Sequence, residues 1–207
     1  MLSNLTPTVR TILVINVLVF LASTVPELQR NIDLLALWPL HSTNPLQSLP
    51  FAPWQLLTYG FVHFQPWHLF TNMFAMYMFG PDVERLLGTR RFQVFYGTCI
   101  VGAALAQQLV TSTIQPSAVA TVGASGGIFG VLLCFGMAYP QRKLMLIFPP
   151  IPMPAWLFVT LYGVLELYLG VFGLNQGVAH FAHLGGMAAG YLLILYWRHQ
   201  ARRRRIN

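Results

Sequence analysis

Ser125 stands among glycines in Val122-Gly-Ala-Ser-Gly-Gly-Ile-Phe-Gly130, and His68, Asn72 and His183 are the polar residues that could join it. A hydroxyl is a weak nucleophile until a base takes its proton, and an imidazole titrating near neutrality suits that task. Attack on a carbonyl also needs donors aimed at the oxygen that becomes negative. His68 and Asn72 are four residues apart, so on a helix they share a face and offer two side-chain donors. The backbone N–H groups of Ser125 and Ala124 offer more, because a helix start has no preceding turn to accept from them. Together these residue types could cleave an amide by nucleophilic attack.

The elements that must position them are set by composition. The chain of 207 residues is 56% hydrophobic and 8% charged, with a mean hydropathy of +0.59. A soluble domain carries about 25% charged residues, so this chain cannot cover itself with a hydrated surface. The expected solvent is the lipid bilayer. At roughly 20 apolar residues per helix, the length allows about six spans with short loops. The expectation is an all-α polytopic membrane protein, one six-helix transmembrane domain over residues 1–207, with no room for a soluble domain.

Six apolar segments fit that reading: Thr11–Val25, Pro66–Met78, Phe92–Val110, Gly123–Tyr139, Ala155–Gly170 and Val178–Trp197. The first could instead be a signal peptide with Ala22-Ser-Thr24 as its cleavage site; a transmembrane helix is the preferred reading. Residues 26–56 mix charge with Trp, Leu and Pro, which suits short amphipathic pieces in the headgroup region anchored by Trp38 and Trp54. The proline run from Phe148 to Pro154 excludes regular helix. Of the twelve basic residues, only Arg30 falls outside when the N-terminus is placed inside. This positive-inside bias puts both termini in the cytoplasm, and a bacterial inner membrane is the expected location.

That topology assigns depths. His68 precedes Arg85 by 17 positions, Ser125 precedes Arg142 by 17, and His183 precedes Arg198 by 15. At 1.5 Å per residue each sits roughly 22–26 Å above its cytoplasmic charges, in the outer third of a core about 30 Å thick. Taken singly, a serine in a glycine-rich membrane helix is a packing residue and an intramembrane histidine a structural one. Polar residues from three helices at one depth are a functional hypothesis. Gly126-xxx-Gly130 and Gly186-xxx-Gly190 are small-xxx-small patterns that let helices meet backbone to backbone. If the His183/Gly186/Gly190 face meets the fourth helix, the imidazole lands beside Ser125.

Other chemistries fit less well. Gly123-Ala-Ser-Gly-Gly127 also satisfies G-x-S-x-G, with Glu166 and His183 following in order, but that motif needs an alternating α/β chain. Glu166 could orient a histidine; a hydrogen bond to a neighbouring helix is the preferred reading. His63, His68, His180 and His183 lack a zinc-type motif with a carboxylate, so no metal is expected. The net charge of +7 gathers in Arg202–Arg205, which reads as an anchor on anionic lipid and not as a nucleic-acid surface. Cys99 and Cys134 lie in apolar segments and read as packing residues.

Four stretches together resemble the rhomboid intramembrane serine proteases, and the likeness runs through nearly all of the chain. Gly123-Ala-Ser-Gly126 is similar to the family's GxSG, and Ala182-His-Leu-Gly-Gly-Met-Ala-Ala-Gly190 to its AHxxGxxxG. His68-Leu-Phe-Thr-Asn72 is similar to its HxxxN, and Glu84-Arg-Leu-Leu-Gly88 to the acidic segment closing its second helix. The resemblance implies a six-helix fold and a Ser–His dyad, not a triad. It makes Ser125 the nucleophile and His183 the base and acid, with His68 and Asn72 at the oxyanion hole and His180 excluded as the base. Phe129, one turn after Ser125, holds a position where an aromatic ring can pack on the base. The implied substrates are transmembrane proteins, and no metal or organic cofactor is needed. The alternatives are an inactive rhomboid-like protein that binds membrane clients, and a transporter. One departure stands out: the family's first loop often carries Trp-Arg, where this chain has Trp54-Gln55, which puts a loop-anchoring interaction in question.

Overall fold

The computed structural model describes residues 5–42, 44, 49–145, 150–172 and 179–206. Among these residues the chain forms eight α-helices: α1 Pro7–Ser23, α2 Pro26–Asp33, α3 Gln55–Thr58, α4 Pro66–Leu87, α5 Thr89–Thr113, α6 Ser125–Ala138, α7 Ala155–Val171 and α8 His180–Ile206. A 3-10 turn, Tyr59–Phe61, follows α3. Two strands, β1 Lys143–Met145 and β2 Pro152–Pro154, pair antiparallel before α7. The mostly helical fold is as expected, and the proline run departs from helix as expected, into β2. Residues 148, 149 and 178, on which the expected boundaries also fell, lie outside the described residues.

Each helix boundary has a local cause. α1 starts on Pro7, whose missing N–H is no loss in a first turn, and it has no side-chain cap of its own. Glu84 near the end of α4 supplies one: Oε1 accepts the Thr8 N–H and Oε2 the Val9 N–H, both at 3.0 Å. The acidic segment therefore fastens α1 to α4. α4 runs past Met78, carrying a buried Pro81, and ends at Gly88 with φ 77°. α6 starts at Ser125 and not at Gly123, because Gly123 takes φ 119°, a conformation open to glycine. α8 continues beyond Trp197 through the arginines.

The lengths depart from six uniform spans. By length and apolarity, only α5 among the described helices could cross a membrane unaided. α1 and α7 are apolar but have 17 residues, and α6 has 14, about 21 Å at 1.5 Å per residue. α4 carries Asp82, Glu84 and Arg85 in its last turns, and α8 its arginines. The reason α6 can be short is its position: it packs against α4, α5, α7 and α8, and ten of its residues from Gly126 to Gly136 are buried. Its first residue, Ser125, is half-buried and lines a cavity.

Glycine sets how closely the helices meet. A Cβ on Gly186 would fall on the Gly126 carbonyl, so α8 touches α6 backbone to backbone. The expected face is only half right, since Gly190 faces Phe95 and Cys99 of α5, each 3.0 Å from where its Cβ would lie. Gly130 likewise meets Cys99. A second seam, Gly102 on Ala189 and Gly185 on Ala106, joins α5 to α8. α8 thus turns one face to two helices, because i and i+3/i+4 neighbours wrap slowly around the axis.

The segment between α2 and α3 is held by amides. Gln55 is fully buried; its Oε1 accepts the Trp38 N–H at 3.1 Å, and its Nε2 donates to the Leu34 and Pro50 carbonyls at 3.2 and 3.3 Å. Gln108 on α5 accepts the Leu40 N–H at 3.0 Å and donates to the Trp38 carbonyl at 2.7 Å. Leu37 and Thr121 exchange backbone hydrogen bonds at 2.9 and 3.0 Å. The anchoring that Trp54-Gln55 put in question is therefore made, by the glutamine.

Replacing Gln55 with Leu removes three hydrogen bonds to partly buried backbone, at about 0.5–1.5 kcal/mol for each; thermal unfolding in detergent should show a loss of that order. Gly186→Ala should cost about 1–3 kcal/mol through overpacking and push α8 from α6. Gly97→Ala meets nothing within 4 Å and should stabilise by about 0.5–1 kcal/mol, measured the same way.

Candidate active site

The loop before α6 is fixed from several sides before Ser125 is reached. The Gly123 N–H donates to the Tyr59 carbonyl at 3.0 Å. Tyr59 is itself buried, and its hydroxyl donates to the Ile100 carbonyl at 2.9 Å. Thr121 is pinned to Leu37 as described above. A Cβ on Gly123 would lie 2.7 Å from His68 Nε2, so the histidine ring rests directly over that backbone. These constraints present Ser125 as the first residue of α6, half-buried in the lining of a cavity of about 700 Å³. His68, Asn72, Phe129, Tyr162 and His183 line the same cavity.

His183, on the first turn of α8, meets the serine. Its Nε2 lies 2.7 Å from Ser125 Oγ. Its ring stacks on Phe129 at 4.3 Å between centroids and 7° between planes, and Tyr162 stacks behind Phe129 at 5.1 Å. The position of Phe129 one turn after the serine places it against the imidazole.

Glu166 meets both readings offered for it. It bonds the neighbouring helix α8, and does so through two histidines: Oε2 lies 2.9 Å from His183 Nδ1 and 2.6 Å from His180 Nδ1. A carboxylate only accepts, so both imidazoles donate from Nδ1, and the Nε2 lone pair of His183 is left facing the serine hydroxyl. The Ser–His pair implied by the resemblance therefore carries an acidic neighbour. Glu166, His180 and His183 are also of ligand type, with one atom each within 4.8 Å of the others. Zinc ligands held tetrahedrally at 2.0–2.1 Å sit about 3.3 Å apart, and the 2.6 Å separation is that of a hydrogen bond. The four histidines do not form one cluster: His180 and His183 share Glu166, while His63 and His68 pair edge to face at 4.8 Å.

The donors are arranged differently from expectation. Asn72 Nδ2 bonds His63 Nε2 at 3.0 Å and the His68 carbonyl at 3.1 Å. The Ala124 N–H also points at His63 Nε2, at 3.4 Å. Two of the expected oxyanion donors thus converge on a histidine in place of open space. His63 is fully buried, and burial, with a smaller contribution from His68, lowers its imidazole to about 3. It stays neutral and can accept. His68, over Gly123, and the Ser125 N–H at the helix start are the donors set nearest the serine.

Tyr59 was missed from the sequence, His63 was seen there without its role as acceptor, and a histidine contact for Glu166 was the less favoured of two readings. His63 sits in an irregular turn with no periodicity to give it a direction. Glu166 was visible as a lone carboxylate in an apolar helix, but the face it presents depends on how α7 is rotated against α8.

Comparison with known proteins places the chain in a family. Residues 50–200 match the Rhomboid domain. The mitochondrial rhomboid protein 1 of Saccharomyces cerevisiae is 32% identical over 135 residues, covering 64% of this chain and 38% of its own length. The human presenilin-associated rhomboid-like protein, also mitochondrial, is 30% identical over 197 residues, covering 91% of this chain and 48% of its own. YdcA of Bacillus subtilis, provisionally named a rhomboid protease, is 30% identical over 141 residues, covering 68% of this chain and 65% of its own. The chain spans less than half the length of the two mitochondrial relatives. The match across most of its length settles the kinship: this chain belongs to the rhomboid family, whose members are embedded in membranes.

Proposed function

We propose that this chain is an intramembrane serine endopeptidase that cuts peptide bonds in or beside the transmembrane segments of other membrane proteins. The observation that carries the reading is the 2.7 Å contact between Ser125 Oγ and His183 Nε2, in the lining of a cavity within an apolar helical bundle. Ser125 attacks the carbonyl while His183 takes its proton. The tetrahedral oxyanion meets the His68 ring and the Ser125 N–H, and Asn72 joins by exchanging His63 for the new negative oxygen. His183 returns the proton to the leaving amine. Water then enters the cavity and attacks the acyl carbon, losing a proton to His183, and His183 hands that proton to Ser125 Oγ as the acyl group leaves.

α1, α4, α5, α6, α7 and α8 are the proposed spans, with both termini on the cytoplasmic side, as the arginine bias implies. Neighbouring helices supply the apolar cover that α6 is too short to find in lipid. A substrate helix shields its amides in its own hydrogen bonds, so the scissile segment must unwind locally to reach Ser125. No step calls on a metal or organic cofactor.

Purified protein in liposomes should cut a single-span test substrate. Ser125→Ala and His183→Ala should each lower kcat by roughly 10⁴-fold or more, and His68→Ala by about 10²–10³-fold as one oxyanion donor is lost. Cleavage that survives Ser125→Ala would falsify the nucleophile. Client binding with no cleavage by the wild type would support the inactive, client-binding alternative.

A further inference from the structure

We propose that Glu166 is a positioning residue for the base, so that the working unit is Ser125–His183–Glu166, with His180 holding the carboxylate in place. The inference rests on the proteolytic reading above and adds a third member to it.

The geometry is that of a relay. Ser125 Oγ to His183 Nε2 is 2.7 Å, and His183 Nδ1 to Glu166 Oε2 is 2.9 Å, so opposite edges of one ring are engaged in line. Phe129 covers a face of the ring at 4.3 Å. With an edge and a face both held, the imidazole has one orientation, and it is the one aimed at the serine. The carboxylate also selects the tautomer. Without an acceptor at Nδ1, the proton could sit on Nε2, where His183 could not receive the serine proton.

The charge matters at the next step. Glu166, His180 and His183 are 5%, 5% and 8% exposed, so little water reaches them. Moving the Ser125 proton to Nε2 creates an imidazolium in these surroundings. An ionised carboxylate 2.9 Å from its far nitrogen opposes that cost strongly where the dielectric is low. Both ring protons then stay on His183 and Glu166 stays ionised, so the step moves one proton only.

His180 gives the arrangement its second feature. A bond serving only to join two helices needs one imidazole, and the shorter contact, His180 Nδ1 to Oε2 at 2.6 Å, already makes it. The additional hydrogen bond goes to the ring that touches Ser125. Glu166 lies on α7 and both histidines on α8, so one oxygen ties α7 to α8 at the level of the base. A shift of α7 away from α8 would release His183 as well.

The test compares Glu166→Gln, Glu166→Asp and Glu166→Ala with the wild type as full chains in liposomes. It reads kcat and KM on a single-span substrate, the rate at which a fluorophosphonate labels Ser125, and thermal unfolding. Glu166→Gln should lower kcat roughly 10²–10⁴-fold with KM little changed, and labelling should slow in parallel while the fold is retained. Glu166→Asp should recover part of the rate. On a His183→Ala background, Glu166→Gln should have no further effect, since residues acting as one unit are not additive. Unchanged kcat in Glu166→Gln, or a loss of activity only in proportion to unfolded protein across all three variants, overturns the assignment. A further loss of residual rate on the His183→Ala background overturns it as well. A wild type that neither cuts nor labels overturns the proteolytic reading, and this inference with it.

Discussion

The contact of α8 on α6, glycine against glycine, is the constraint on which the site depends. Gly186 sits on the Gly126 carbonyl with no space for a Cβ, and each lies close in sequence to a reactive residue, Gly126 one after Ser125 and Gly186 three after His183. Side chains at that seam would hold the axes apart, and the 2.7 Å contact between Ser125 and His183 would open. Backbone packing does this work in a bilayer because lipid is as apolar as a leucine and gives little drive to bring helices together. The second seam, Gly102 and Gly185 against alanines of the opposite helix, keeps α8 from rolling. That seam also explains why Gly190 faces α5: one helix serves two neighbours.

A central helix of 14 residues has a further consequence. Its tip, at Ser125, borders a cavity, and the irregular chain that reaches the tip must satisfy its backbone groups within the protein. Gln55 and Gln108 do so for residues 34 to 40, Tyr59 for the loop ahead of the serine, and Glu84 for the first turn of α1. Each polar side chain is placed where lipid or packed protein denies the backbone water. The same economy operates at the serine, where His63 gathers the Asn72 amide and the Ala124 N–H until a stronger acceptor arrives.

Kinship with the rhomboid family is compatible with this organisation and does not specify it. The relatives match this chain at about 30% identity and extend well beyond it, so their shared part is the helical core. Within that core the acidic partner of His183 comes from α7, a helix to which none of the four recognised motifs belongs.

Much of the layout was legible without coordinates. Composition excludes a water-covered surface, and apolar runs mark the helices. Ser125, His183, His68 and Asn72 could be placed at one depth because helical rise converts sequence separation into distance. Motif spacing carries no azimuth, however. Whether Glu166 meets lipid or a histidine, whether Gly190 meets α6 or α5, and whether Asn72 points to the cavity or to His63 all depend on helix rotation and on an irregular loop. Those are set by long-range packing between residues up to a hundred positions apart. The sequence by itself determined a mostly helical chain of membrane-type composition and singled out the polar residues that could act together; tertiary structure decided which of their faces meet, because close packing alone selects one rotation of each helix.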